Sequence, residues 1–250
     1  MRAWWQRLWR TSDPLPEPLW REVAGALPWT RAMAPERRER LRALAARFLR
    51  EKTITPLAGL ELDGRQRAQL ATLCCLPLVE FGAEGLRGWS QLLVYPEAFR
   101  VRRSHVDAAD VVHEWEDELI GEAWDAGPVI LSWADVQADI DEPGAGFCVT
   151  AHEIAHKLDV LDGVLDGTPP LPRAWQREWA RDFQSAYDAL ADAADAGRET
   201  AIDPYAADSP EEFFAVCTEY HFSDPRTLRA AMPAVASHLE RLYGPAPALG

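Results

Sequence analysis

Two histidines four residues apart, with a glutamate between them, stand in the segment His152-Glu153-Ile154-Ala155-His156, on a stretch of helical composition that ends near Gly163. On a helix an i, i+4 pair differs by about 40° of rotation and one turn of rise, so both imidazoles leave the same face and can bind one zinc ion. Glu153 is adjacent to them. It is placed to take a proton from water whose pKa the ion lowers, and to return it to a leaving amine. At this content of His and Glu, about 0.01 accidental HExxH matches are expected in the chain, so the pattern carries far more weight than a lone glycine motif.

A third protein ligand is required, and the extended pattern HExxHxxGxxH does not supply it, because Asp159 and Asp162 stand where its Gly and third His would be. A downstream carboxylate remains. Glu178 lies in the segment EWARD, and Glu212 lies in SPEEFFAVCTEYHF, where Ser209 suits an N-cap and Pro210 the first helical turn. Glu211 and Glu219 are further alternatives.

The combination of GPVILSW, HEIAHKLDVLDG and DPYAADSPEEFFAVCTEYHFSDP resembles the Mlc titration factor A family of zinc-dependent gluzincin peptidases, related to the catalytic domain of anthrax lethal factor. The similarity runs from about Trp20 to Tyr243. It implies that His152, His156 and Glu212 hold one Zn2+ and that Glu153 is the general base. Tyr205 matches the family tyrosine that hydrogen-bonds the tetrahedral oxyanion. The activity implied is that of an aminopeptidase on short peptides, and a second role, binding and sequestering a transcriptional repressor of sugar uptake, is implied beside it. The chain departs from the family pattern at Cys148-Val149-Thr150-Ala151 and at Ile154, which are lining or packing positions.

Other polar residues have plainer readings. Asp159, three residues after His156, is placed to orient a ligand imidazole or to be a surface acid near a helix end. Asp162 before Gly163 suits a turn. His221 reads as a satisfied, partly buried histidine that could approach the site, while His105, His113 and His238 lack ligand spacing. The four cysteines have neither metal-ligand nor disulfide spacing and read as small buried hydrophobes in a reducing compartment.

The elements that must position these groups follow from periodicity. Residues 36–51 place Leu41, Leu44, Ala45, Phe48 and Leu49 at helical spacing opposite arginines, and 64–80 form a second helix that Pro77 bends or ends. Residues 92–99 and 127–133 read as short strands, the second able to pair with an extended peptide. Residues 186–196 read as a polar helix. The tail after Gly244 is expected to fray.

The fold expected is α+β and zincin-like. An N-terminal helical region, 1–88, packs on a catalytic part, 89–250, in which a small mixed sheet lies over the HExxH helix.

Charge sets further limits. Lys plus Arg number 26 against 40 Asp plus Glu, a formal charge of −14 that argues against a nucleic-acid binder. Residues 1–50 are basic, whereas the acids of 107–122 read as a solvated face. No apolar run is long enough for a membrane span. Trp4, Trp5, Leu8 and Trp9 share a helical face with arginines beside it, a pattern used both by membrane-surface helices and by helices docked on their own domain. The location expected is the cytoplasm.

Overall fold

The computed structural model describes residues 13–97 and 127–249. The tryptophan-rich start, His105, His113 and the acidic segment 107–122 lie outside the described residues. In chain order the elements are α1 (Glu17–Ala26), α2 (Pro28–Arg31), α3 (Pro35–Glu51), β1 (Thr53–Pro56), α4 (Gly64–Cys75), β2 (Gln91–Tyr95), β3 (Val129–Ser132), α5 (Trp133–Asp141), α6 (Val149–Asp159), α7 (Arg173–Asp195), α8 (Pro210–Ser223), α9 (Pro225–Ala231) and α10 (Pro233–Tyr243).

Local chemistry starts most of these helices. Proline within the first two positions presets φ at the head of α2, α3, α8, α9 and α10, where its missing N–H costs nothing. Asp63 and Gln66 form a reciprocal capping box on α4, each side chain accepting the other residue's backbone N–H at 2.8 Å. The α4 helix ends at Cys75 and passes through a 3₁₀ turn, Leu76–Leu78, that contains Pro77.

The sheet has the order β1-β2-β3 and is parallel throughout, with Ile54 opposite Leu92 and Val94 opposite Leu131. This corrects the expected mixed sheet. Each strand is separated from the next by enough chain to return it in the same direction, as parallel pairing requires, and α4 lies within the first of these connections. Because β1 precedes residue 88 and β2 follows it, the sheet draws strands from both sides of that position. Leu92, Val94, Val129 and Leu131 are buried, and β3 packs on α6.

At the centre lies α8, of which Phe213 through Thr218 are buried in an unbroken run. A helix apolar on nearly every side needs neighbours all round, and α6, α7, α9 and α10 provide them. Trp179 of α7 stacks on Phe183 at 3.9 Å and meets Phe214 of α8 edge-on at 5.8 Å. All four cysteines are buried free thiols, as expected. The tail beyond α10 has no regular structure, but Arg37 donates to the carbonyls of Tyr243 at 2.8 Å and Pro245 at 3.0 Å.

Candidate metal centre

The α6 helix lacks a side-chain cap of its own, and two acids from elsewhere take over its exposed amides. Asp139 of α5 accepts the Val149 N–H at 2.7 Å, and Glu219 of α8 accepts the Cys148 N–H at 2.9 Å. Negative charge at the positive end of the helix dipole is favourable there. These two acids fix the entry of α6 and so the direction in which its imidazoles project.

One turn into α6, His152 is almost fully buried and its Nδ1 lies 2.7 Å from Glu219 Oε1. The carboxylate accepts from that nitrogen and turns Nε2 the other way, toward His156 Nε2 at 3.2 Å and Glu212 Oε2 at 3.3 Å. His156 Nε2 is 3.5 Å from Glu212 Oε1. Ligand atoms of these three side chains all lie within 4.8 Å of one another. A zinc ion bound at 2.0–2.1 Å with tetrahedral angles needs ligand atoms about 3.3 Å apart. The three measured separations bracket that value, and Glu212 Oε2, although buried and close to His152, makes no hydrogen bond among the described residues. The donor set and its spacing therefore fit a small divalent cation.

Electrostatics support the same reading. Burial alone would pull the His152 pKa down, yet the Glu219 and Glu212 carboxylates raise it to about 10. Burial would raise Glu212, but the two imidazoles hold it well below the ordinary carboxylate range. Glu153, half-buried between the two histidines in sequence, is near enough to the α4 wall to act on Cys74, whose thiol burial pushes up to about 12.

Of the candidates for the third position, Glu212 is in the cluster and Glu178 is not. Glu178 is exposed on α7, 3.9 Å from Arg241. Ser209 accepts the Glu212 N–H at 3.3 Å, the N-cap its sequence suggested. Glu219 lies outside that trio, with Oε1 on His152 Nδ1 and Oε2 on the Cys148 N–H. It holds His152, and the signal for this was present, since it follows Glu212 by seven residues, two turns along the same face of α8. Tyr205 is half-buried on the 3₁₀ turn Pro204–Ala207, which Asp203 caps at 2.9 Å and which packs on α8.

Asp159 does not orient an imidazole. Its carboxylate is buried and accepts the N–H groups of Gly167 at 2.7 Å and Thr168 at 2.8 Å. Asp162 accepts the Val164 N–H at 3.2 Å, a turn role as expected. His221 is fully buried rather than partly, and its Nε2 has no partner among the described residues. Burial, with Arg37 and Arg229 adding to it, lowers its pKa to about 3. His238 pairs with Asp182 at 2.9 Å, away from the cluster.

The described helices include none long and apolar enough to cross a membrane. The chain is similar to Mlc titration factor A of Escherichia fergusonii, 38% identical over 235 residues that cover 93% of this chain and 88% of that protein. The Serratia proteamaculans protein of the same name is 37% identical over 240 residues, covering 94% and 90%. That of Yersinia pestis is 37% identical over 241 residues, covering 94% and 88%. The model of the glucose-regulated metallo-peptidase M90 family matches residues 1–244. With that family model matching nearly the whole chain and relatives 37–38% identical over most of it, the chain belongs to the glucose-regulated metallo-peptidase M90 family, that of the Mlc titration factor A proteins.

Proposed function

We propose that this protein is a zinc-dependent peptidase of zincin-like fold that acts as an aminopeptidase on short peptides. The observation that carries the reading is the convergence of His152, His156 and Glu212 at 3.2 to 3.5 Å, with Glu153 inside the same helical turn. Those three side chains hold the ion. When bound, zinc supplies Lewis acidity, polarising the scissile carbonyl and lowering the pKa of water. Glu153 accepts the proton of the attacking water and passes it to the departing amine. Tyr205, seven residues before Glu212, donates a hydrogen bond from its hydroxyl to the oxygen that gains charge in the transition state. Glu219 keeps the His152 ring in place while this happens, through the 2.7 Å bond to Nδ1.

In this reading residues 1–88 and 89–250 work as one compact unit, and the four reduced cysteines suit the cytoplasm. The test is elemental analysis before and after chelation, combined with a panel of chromogenic aminoacyl substrates. One zinc per chain and metal-dependent turnover support the proposal. Turnover that survives complete zinc removal rejects it.

The relatives' name supports a second reading, in which the chain binds and titrates a partner protein. An acidic chain of net charge −14 suits a protein partner with a basic surface better than a nucleic acid. Binding of the Mlc protein by Glu153→Gln as strongly as by wild type, alongside lost turnover, would show that sequestration and catalysis are separable.

A further inference from the structure

We infer that Asp159 is a positioning residue that sets the distance between the two ligand-bearing helices, by holding Gly167 against the first turn of α8. The inference rests on the metal-centre reading and assigns a task to a side chain outside the ligand set.

Asp159 ends α6, three residues after His156, and is fully buried. Its two oxygens accept consecutive amides, Gly167 N–H on Oδ2 at 2.7 Å and Thr168 N–H on Oδ1 at 2.8 Å. Asp166 Oδ1 shares the Thr168 N–H at 3.0 Å. Charge-assisted bonds of this length are the strong ones, and their angle is fixed when both oxygens are used. Burying the carboxylate has a cost, visible in a pKa that burial raises to about 6.

At the far end of the loop the contact is backbone to backbone. Gly167 has φ +80°, and a Cβ there would lie 2.3 Å from Pro210 O, 2.7 Å from Pro210 C and 3.3 Å from Glu211 N. Only glycine allows both that φ and that approach. The atoms it meets belong to the first turn of α8, one and two residues before Glu212, and a helix backbone does not swing aside as a flexible side chain does. The path from His156 to Glu212 thus runs along one helical turn, through one buried carboxylate, across two amides and onto a helix start.

The apolar side chains just before Gly167 do little to hold the loop there. Val164 is 54% exposed and Leu165 42% exposed, so burial of apolar surface contributes little to its placement. On that side of Gly167 the Asp159 carboxylate and the glycine close approach place the chain, with Asp166 sharing the Thr168 N–H; beyond it Pro169 is buried and Leu171 packs on the core.

The test compares wild type, Asp159→Asn, Gly167→Ala and, as a control in the same loop, Leu165→Ala. Zinc affinity is read by chelator competition, ligand geometry by the visible absorption of the cobalt-substituted protein, and integrity by the circular dichroism and Tm of the metal-free chains. Asp159→Asn and Gly167→Ala are expected to lose about 10- to 100-fold in zinc affinity and to alter the cobalt bands, as changes to supporting groups around metal sites commonly do. Leu165→Ala should match wild type in both. Folded variants that bind zinc as wild type does, with unchanged cobalt bands, overturn the inference even if their Tm falls, because that is support of the fold alone. Should Asp159→Asn not fold, Gly167→Ala leaves the carboxylate in place and decides the matter. Failure of wild type itself to bind zinc would overturn the metal-centre reading and this inference together, a result distinct from failure of the variants to differ.

Discussion

His152 and Glu219 meet at 2.7 Å, and the same carboxylate accepts the Cys148 N–H at 2.9 Å at the entry of α6. One side chain of α8 therefore fixes both the start of the HExxH helix and the rotation of its first imidazole. With Nδ1 engaged, Nε2 is the nitrogen left to face Glu212 and His156.

Glu219→Gln should lower zinc affinity by about 10- to 100-fold, because a neutral amide is a weaker acceptor and presents a donor to one of two N–H groups. Glu219→Ala should in addition destabilise the metal-free fold by about 1–3 kcal/mol, since it leaves buried donors without partners. Chelator competition measures the first effect and urea unfolding of the metal-free chain the second.

Glu153→Gln should retain one zinc and lose about 10²- to 10⁴-fold in kcat, the span typical of removing a general base. The metal content and the rate are measured on the same sample. Full activity in this variant, on any substrate, excludes the proposed proton transfer.

Metal binding should release about one proton at neutral pH, because a ligand imidazole must be neutral to coordinate and His152, raised to about 10, carries a proton in the metal-free site. Titration calorimetry in two buffers of different ionisation enthalpy counts that proton. The same shift has a consequence for stability. A histidine whose folded pKa lies above its unfolded value of 6.5 stabilises the metal-free chain fully below that pH and progressively less as pH rises toward about 10. The Tm of the metal-free protein should fall across that interval, and a Tm that rises there would contradict a net stabilisation from protonated His152.

Phe214→Ala should destabilise the protein by about 3–5 kcal/mol, the usual cost of a buried Phe whose neighbours close only partly on the space left. Phe214 is fully buried and packs against both Trp179 and Phe183. Denaturant unfolding checks the value, and a loss below about 1 kcal/mol would mean that α7 collapses onto α8.

How far the sequence reveals this molecule depends on the range of each signal. HExxH is legible because one helical turn places both imidazoles, and the helices expected over 36–51 and 64–80 are legible from apolar spacing within single segments, the second ending at Cys75 before Pro77. Glu212 could be ranked above Glu178 only through a family resemblance, since each is an acid beside aromatic residues in a helical segment, and helix packing alone brings one of them to the cluster. The strand β1 gave little sign. It is four residues long, ends in a proline, and exists through pairing with a partner at Gln91–Val94 far along the chain. For the same reason the sheet could not be read as parallel. The task of Asp159 was hidden because it depends on where a loop eight residues later comes to rest.

The three side chains that would hold a cation come from two helices, α6 and α8, and a cation there would act as a rivet between them. Melting that parts the pair would then discharge the ion in the same event, so heat resistance should track the logarithm of free zinc in the medium. For an organism, the ambient supply of one trace element would thereby govern how long this protein lasts.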